Sequence, residues 1–264
     1  MKRDNGADTS QRTLRFYATA PHTCNYLENR SSISVFADPD ATLSTDIYHK
    51  LAPLGFRRSG SGLYMPACTH CDQCIPARVV VSTFRRSRNQ QRVWQRNRDI
   101  TCTPLDADFR QEHFELYSRY LAQRHSGGGM ENPTPEDYLG FLGSNWSDTL
   151  FLEFRVDGAL LGIAVTDCLP DALSSVYTFF DPVFAARSPG TLAILTQIEM
   201  ARQLELDWLY LGYWVPDCRK MAYKNRFRPL QVFRNGQWED FNPEASYSAA
   251  PEPPDLPSPL SPMG

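Results

Sequence analysis

Three thiols stand at two-residue spacing in Cys68-Thr-His-Cys71-Asp-Gln-Cys74, and Ile-Pro76 follows them directly. Thiolates so spaced on a turn can converge on one soft metal ion or on one edge of an iron–sulfur cluster. A closed site needs a fourth ligand, and Cys24 in His22-Thr-Cys24-Asn-Tyr26 is the first choice, with His22 and His70 as weaker alternatives. Zinc and a cluster both fit this spacing, and reduced core cysteines are the bland alternative. Cys102, Cys168 and Cys218 are isolated, and no positioned base is recognisable beside them. They read as small hydrophobes rather than nucleophiles.

A second chemical signal follows at once. Between Gln73 and Arg98 there is no Asp or Glu, while Arg78, Arg85, Arg86, Arg88, Arg92, Arg96 and Arg98 all fall there, in a chain whose net charge is -3. Such a segment repels itself unless an anion is near, and planar guanidinium groups suit bidentate phosphate contacts. The competing reading is a solvated helix face. A third dense segment is Leu209 to Phe227, where Tyr213, Trp214 and Tyr223 are interleaved with Arg219, Lys220, Lys224 and Arg226. Aromatic rings and cations at the mouth of a strand are the materials of a pocket for an anion.

The elements that must position these groups are legible in outline. Asp46 to Leu54 reads as a short helix, Leu63 to Met65 and Ala77 to Phe84 as strands, and Gln90 to Arg98 as a basic helix. Asp108 to Ser126 carries Phe109, Phe114, Tyr117 and Leu121 at helical spacing until Gly127-Gly-Gly129 stops it, and Pro133 to Asp137 opens another helix. Leu150 to Val156, an Asp157-Gly158 turn and Ala159 to Cys168 form a hairpin, because Asp-Gly tolerates the positive φ of a type I′ turn. Leu173 to Phe180 is a third strand, Ser188-Pro189 an N-cap and first-turn proline for a helix reaching Leu204, and Trp208 to Tyr213 a fourth strand. A meander, a helix and a return strand is the order of a GCN5-related acyltransferase. The expected fold is therefore α+β, an acyltransferase-like mixed sheet with helices plus a small Cys-containing N-terminal module.

The division expected is a flexible start over 1–13, a Cys/Arg-rich module over 14–100, an acyltransferase-like domain over 101–242, and a disordered tail over 243–264 in which seven prolines crowd 22 residues. No run approaches the roughly 18 apolar residues that span a bilayer. The polar start lacks a signal-peptide core, and seven cysteines, an odd number, argue against a disulfide framework. A cytoplasmic protein without membrane partners is expected. The loop Ala186-Arg187-Ser188-Pro189-Gly190-Thr191 has one glycine and a proline that removes a donor, so it makes a poor cradle for the pyrophosphate of coenzyme A. The acyl carrier should be something else.

Several of these strings resemble a known family. Gly55-Phe-Arg57-Arg58-Ser-Gly60 through Tyr64-Met-Pro66, the cysteine cluster ending in Pro76-Ala-Arg78, and Phe84-Arg-Arg-Ser-Arg88 are similar to the N-terminal part of the aminoacyl-tRNA-protein transferases. Tyr177-Thr-Phe-Phe-Asp181-Pro182, Gly190-Thr191 and Leu211-Gly-Tyr213-Trp214 through Ala222-Tyr223-Lys224 are similar to the C-terminal part. The likeness runs from Phe16 to about Phe241 and is strongest to the bacterial aspartate/glutamate leucyltransferase branch, relatives of the eukaryotic arginyltransferases.

That resemblance implies transfer of an aminoacyl group, leucine in this branch, from tRNA to the α-amine of a protein beginning with Asp or Glu, which marks it for degradation. Arginine transfer, and a metal-stapled RNA-binding module without catalysis, are the alternatives. A tRNA donor would use Arg85, Arg86, Arg88, Arg92 and Arg96. The acceptor carboxylate would be read by Arg57, Arg58, Arg78, Lys220 or Lys224. Asp181 is expected to accept the proton or hold the ammonium, with Tyr177 and Tyr213 donating hydrogen bonds near the ester; the alternative for Asp181-Pro182 is a plain turn. The chemistry itself needs no cofactor, and zinc or an iron–sulfur cluster at Cys24, Cys68, Cys71 and Cys74 would act as a staple.

Overall fold

The structure, a computed structural model, describes residues 13–124, 132–245 and 247. Nearly all of the expected flexible start, the three-glycine loop and most of the proline-rich tail lie outside the described residues.

In chain order, β1 (Phe16–Ala18), β2 (His22–Thr23), β3 (Ser31–Ser32), β4 (Ser34–Ala37), α1 (Thr45–Leu51), β5 (Arg57–Ser59) and β6 (Gly62–Pro66) come first. They make an antiparallel four-stranded sheet of order β1-β4-β6-β5 and a β2-β3 ribbon. After them come β7 (Ile75–Val80), α2 (Arg88–Arg96), β8 (Ile100–Asp106), α3 (Gln111–Arg124), α4 (Pro135–Leu142), β9 (Thr149–Val156), β10 (Ala159–Leu169), β11 (Ala172–Phe180), α5 (Pro189–Gln203), β12 (Trp208–Trp214), β13 (Leu230–Arg234) and β14 (Gln237–Asp240). These strands form one mixed sheet of order β14-β13-β7-β12-β11-β10-β9-β8. The meander β8 to β11, the crossover α5 and the parallel return strand β12 reproduce the acyltransferase-like order. Although β7 lies within residues 14–100, it sits between β12 and β13, so the early segment is threaded into the large sheet.

Local chemistry explains most boundaries. Asp157 and Gly158 both adopt positive φ, as the hairpin turn requires. The basic helix begins at Arg88 rather than Gln90, because Ser87 and Gln90 satisfy each other's backbone amides in a reciprocal capping box. The strand expected over Ala77–Phe84 ends at Val80, where the Val81 amide turns to Asp207 O and the Phe84 amide folds back onto Val81 O. Helix α5 does start at Pro189, but Ser188 is left-handed and makes no side-chain cap. The β13–β14 hairpin was not anticipated, although its turn is Asn235-Gly236, both at positive φ.

The large sheet is covered on both faces, which is why β10 is buried along nearly its whole length. Helices α5 and α2 close one face over Leu152, Phe154, Leu161 and Ala164. On the other face α3 and α4 cover Phe151, Ile163, Val165 and Phe179, and α1 with the small sheet covers Leu169, Ala172 and Tyr210. Among the described residues no helix is long and apolar enough to cross a membrane.

One buried ion pair ties the two sheets together. Arg58 of β5 donates Nε and Nη2 to the two oxygens of Asp167 of β10 at 2.7 and 2.8 Å. Its remaining donors reach Gly60 O, Gly143 O and Leu142 O, so five N–H groups have five acceptors. Gly60 must be glycine, since its φ is +57° and a Cβ would stand 2.3 Å from Gly140 O. Removing one member of such a pair strands a buried charge. Arg58→Met or Asp167→Ala is expected to lower the unfolding free energy by about 3 to 5 kcal/mol in urea titrations.

Candidate active site

Strands β11 and β12 are parallel neighbours for only three residue pairs, Ala172 with Trp208, Leu173 with Leu209 and Ser174 with Tyr210, after which they diverge. Register shifts flank the opening on both sides, in β11 against β10 beside Val176 and in β12 against β7 between Tyr210 and Gly212. Bulges of this kind re-aim side chains and interrupt pairing. A cavity of about 110 Å³ occupies the gap, floored by Ser174, Ser175 and Val176 of β11 and by Leu211, Gly212 and Tyr213 of β12. Its other walls come from the early segment and from the turn after β12: Tyr26, Tyr48, Arg57, Arg58 and Tyr64, then Met221 and Lys224.

Arg57 is 4% exposed. Its Nη1 donates to Ala52 O at 2.9 Å and Phe56 O at 2.6 Å, and its guanidinium lies 4.6 Å over the Tyr210 ring. Among the described residues its Nε and Nη2 are buried without a partner. A buried guanidinium with two idle donors is strongly anion-seeking, because desolvation has already removed the water that would satisfy it. Among the described residues no Asp or Glu lines the cavity, so none there answers it.

Lys224 is 7% exposed and donates from Nζ to Tyr213 O at 2.7 Å. Burial, reinforced by the like charge of Arg57, pulls its amine down to about 7, against an opposing influence of Cys74 and Cys218. Gly212 lies beside it: its φ of +76° favours glycine, and a Cβ there would stand in ordinary contact with Nζ at 3.6 Å.

Of the expected acceptor-reading cations, the structure brings Arg57, Arg58 and Lys224 to this cavity and leaves two elsewhere. Arg58 differs from the expectation in having no donor left for a ligand. Arg78 is stacked 3.6 Å over Trp208 and 4.2 Å over Trp238 and gives its donors to Gln231 Oε1. Lys220 is exposed on the loop after β12.

The expected catalytic group is dispersed. Asp181 lies beyond the end of β11, where it caps a short 3-10 turn by accepting from the Val183 amide at 3.0 Å and pairs with Arg119 at 3.3 Å. Tyr177 packs among Tyr117, Tyr120, Phe141 and Phe179. Tyr213 does reach the cavity, but its hydroxyl is engaged with Gly55 O at 2.9 Å and Tyr64 O at 3.1 Å, and burial drives its acidity down. The sequence reading missed Tyr26, Tyr48, Tyr64 and Met221, which only the fold gathers. One signal was available, the glycine inside an otherwise aromatic and apolar strand at Gly212.

The thiols lie near one another beside the same cavity. Burial, with Cys24, Cys68 and Cys71 adding to it, pushes the Cys74 thiol up to about 12. The Tyr26 amide donates to Cys24 Sγ at 3.4 Å and the Ile33 amide to Cys68 Sγ at 3.5 Å. Among the described residues no three His, Cys, Asp or Glu side chains converge to hold a metal ion. The four thiols thus do not assemble, among the described residues, the closed site that their spacing suggested.

The arginine run forms a separate surface. Arg88, Arg92 and Arg96 recur every fourth residue along α2 and are exposed on one of its faces. Arg85 and Arg86 join Arg202 of α5 in an open groove of about 570 Å³ with Ser82, Phe84 and Gln91. Arg86 is held by Glu199 at 2.9 Å and lies 3.9 Å over the Trp94 ring.

The depressed amine of Lys224 has a thermodynamic consequence. Its folded-state pKa of about 7 lies below that of the unfolded chain, so between that value and about 10 the unfolded state binds the extra proton and stability rises with pH. Lys224→Met removes this cost. The variant is expected to be more stable than the parent by on the order of a few kcal/mol at pH 6.5, with the advantage fading by pH 10, in urea titrations at each pH.

Residues 22–92 match the family model described as arginine-tRNA-protein transferase, N terminus, and residues 112–234 match its C-terminus counterpart. An aspartate/glutamate leucyltransferase of Hahella chejuensis is 49% identical over 227 residues, covering 86% of this chain and 97% of that protein. Another, from Alcanivorax borkumensis, is 47% identical over 232 residues, covering 88% of this chain and 96% of that protein. Among solved structures, FemX superposes with a TM-score of 0.41 at 13% identity over 69% of this chain and 63% of its own. The C-terminal domain of a putative lysylphosphatidylglycerol synthetase from Agrobacterium fabrum gives 0.41 at 16% identity over 65% and 52%. With both halves matched in order and near-half identity sustained over almost the full length of these relatives, the chain belongs to the arginine-tRNA-protein transferase family.

Proposed function

We propose that this protein transfers leucine from leucyl-tRNA to the α-amine of proteins whose first residue is Asp or Glu, which marks them for degradation, and that it does so in the cytoplasm, where charged tRNA is made. The observation that carries the reading is Arg57, a buried guanidinium with two idle donors facing a cavity in which no described residue is an acid. An acidic side chain seated there would complete its hydrogen bonds, with each charge-assisted contact contributing about 1.5 to 3 kcal/mol. The α-amine of the same residue would then lie within a few bonds of that carboxylate, inside the splay between β11 and β12.

The reaction asks little more than positioning. An amine displacing an ester oxygen proceeds downhill, and holding the two reactants in line can remove about 7 to 11 kcal/mol of barrier. The donor enters as an ester on the 3′ end of tRNA, a polyanion suited to the exposed arginines of α2 and the Arg85–Arg86–Arg202 groove. Proline at the first turn of α5 and a left-handed Ser188 before it leave little for a pyrophosphate to bind, in keeping with a carrier other than coenzyme A.

Mass analysis of a peptide beginning with Asp, incubated with the protein and with leucyl- or arginyl-tRNA, tests the assignment. A gain of one leucine is expected, a gain of arginine would reassign the donor, and no gain with either would remove the reading. Arg57→Gln is expected to reduce kcat/KM for Asp- and Glu-initiated peptides about 10- to 100-fold and to narrow their advantage over Asn and Gln. Combined Arg88→Gln, Arg92→Gln and Arg96→Gln should instead weaken tRNA binding equally for both acceptors. It should also flatten the log–log dependence of tRNA affinity on salt by about 2, measurable by filter binding across a salt series.

A further inference from the structure

A free α-amine titrates at about 7.7 to 8.0, so most of it arrives protonated at neutral pH and must lose that proton before it can attack an ester. Asp181, the residue expected to take it, is a helix cap outside the cavity. Among the described residues no carboxylate or imidazole lines the cavity, and Arg58 with Asp167 forms a closed pair. The phenols of Tyr26, Tyr48, Tyr64 and Tyr213 are all made less acidic by burial and stay neutral, and Arg57 cannot release a proton. One lining side chain remains that can exchange a proton near neutrality.

We infer that the Lys224 amine is the proton acceptor and donor of the transfer reaction, and that the acceptor's own acidic side chain, bound to Arg57, is what makes it basic enough to act. This rests on the assignment of function above and adds a residue and a source of specificity to it. The Nζ atom is held at one point, by its bond to Tyr213 O, with only a long contact to Met221 Sδ at 3.9 Å besides. In the neutral amine that leaves the lone pair free, and the missing side chain of Gly212 leaves space beside it. The charged and titratable groups that bear on Lys224 are Arg57, Cys74 and Cys218, and Arg57 is the one that disfavours its protonation.

The sequence of events balances. An N–H bond of the α-ammonium breaks and a proton joins Nζ. That proton leaves to solvent; the freed amine nitrogen then bonds to the leucyl carbonyl carbon and passes a second proton to Nζ, the ester C–O bond breaks, and the departing ribose oxygen takes that proton from the Lys224 ammonium, so that one proton is released overall. In the empty cavity burial, with the like charge of Arg57 added to it, holds Lys224 to a basicity below that of the incoming amine, so the first step runs uphill. A carboxylate on Arg57 offsets the charge part of that cost and moves the balance toward Nζ. An Asn or Gln side chain of the same shape fills the cavity without doing so, which places part of the discrimination in the rate of the step rather than in binding.

Single-turnover transfer from leucyl-tRNA to an Asp-initiated peptide, followed from pH 6.5 to 9 in the parent protein, Lys224→Met and Lys224→Arg, tests this. Both variants should be at least about 100-fold slower at pH 7, within the usual range for loss of a general base. Each should close at least about tenfold of that gap by pH 9, where the peptide amine is neutral unaided. Lys224→Arg is decisive because it keeps the cation and cannot act as a base. If it retains a third or more of the parent rate at pH 7, Lys224 is only a charge that binds acceptor and the inference is wrong. A loss of equal size at pH 7 and pH 9 in both variants would also overturn it, because a structural defect would not depend on the state of the peptide amine. Lys224→Met is expected to fold at least as stably as the parent, and its tRNA affinity should be unchanged; a collapse of both would likewise count against the role. Absence of leucyl transfer by the parent protein would instead defeat the functional assignment itself, a result distinct from any of these.

Discussion

The structure turns on the buried pair of Arg58 and Asp167. A single guanidinium spends every donor on joining β5 of the small sheet to β10 of the large one and to the carbonyls that end α4. Because successive residues of a strand face opposite ways, fixing Arg58 also fixes where Arg57 points. The neighbouring arginine is thereby presented to the mouth of the splay between β11 and β12, although it belongs to a different sheet. Two arginines side by side in sequence have opposite fates. One is neutralised and structural, and the other is left unpaired where a ligand must come.

That asymmetry explains the electrostatics of the site. A cavity with Arg57 and Lys224 and, among the described residues, no acid is a costly thing to fold, and the depressed amine of Lys224 is the visible sign of that cost. The burial that strains the empty protein is what gives an anionic ligand its advantage, since the desolvation has been met in folding and only attraction remains on binding. Stability and recognition are thus opposed at the same two residues. The wall that excludes water is assembled from Tyr26, Tyr48 and Tyr64, and the first of these is set by a turn in which its own amide bonds to Cys24 Sγ. The cysteine loop therefore contributes to the cavity as a scaffold, whatever else its thiols do.

The acyltransferase-like order was legible because local signals were strong and consecutive: an Asp-Gly hairpin, a β-branched third strand and a proline-started helix. The N-terminal part was harder. Its strands are two to five residues long, and β7 pairs with strands more than a hundred residues away, which no local pattern reports. The Asn235-Gly236 hairpin carries a readable turn signal, but the strands it joins are only five and four residues long, too short for a clear alternating pattern. Asp181 looked catalytic because it ended a strand of the core. Its aspartate-proline pair is equally the mark of a capped turn, and the cap is what formed.

By itself, the sequence determined that this is an α+β protein with the element order of an acyltransferase, a surface of arginines suited to a polyanion, and cations interleaved with aromatics near the end of a strand. These follow from periodicity, turn chemistry and charge, all of which act between near neighbours. Only the tertiary structure decided which cation is free. Arg57, Arg58, Arg78 and Lys224 are alike as letters. Their roles depend on whether a carboxylate, a pair of indole rings or a backbone carbonyl from a distant part of the chain reaches them first. Saturation of donors and loss of solvent are properties of packing, and packing brings together residues that the sequence keeps far apart.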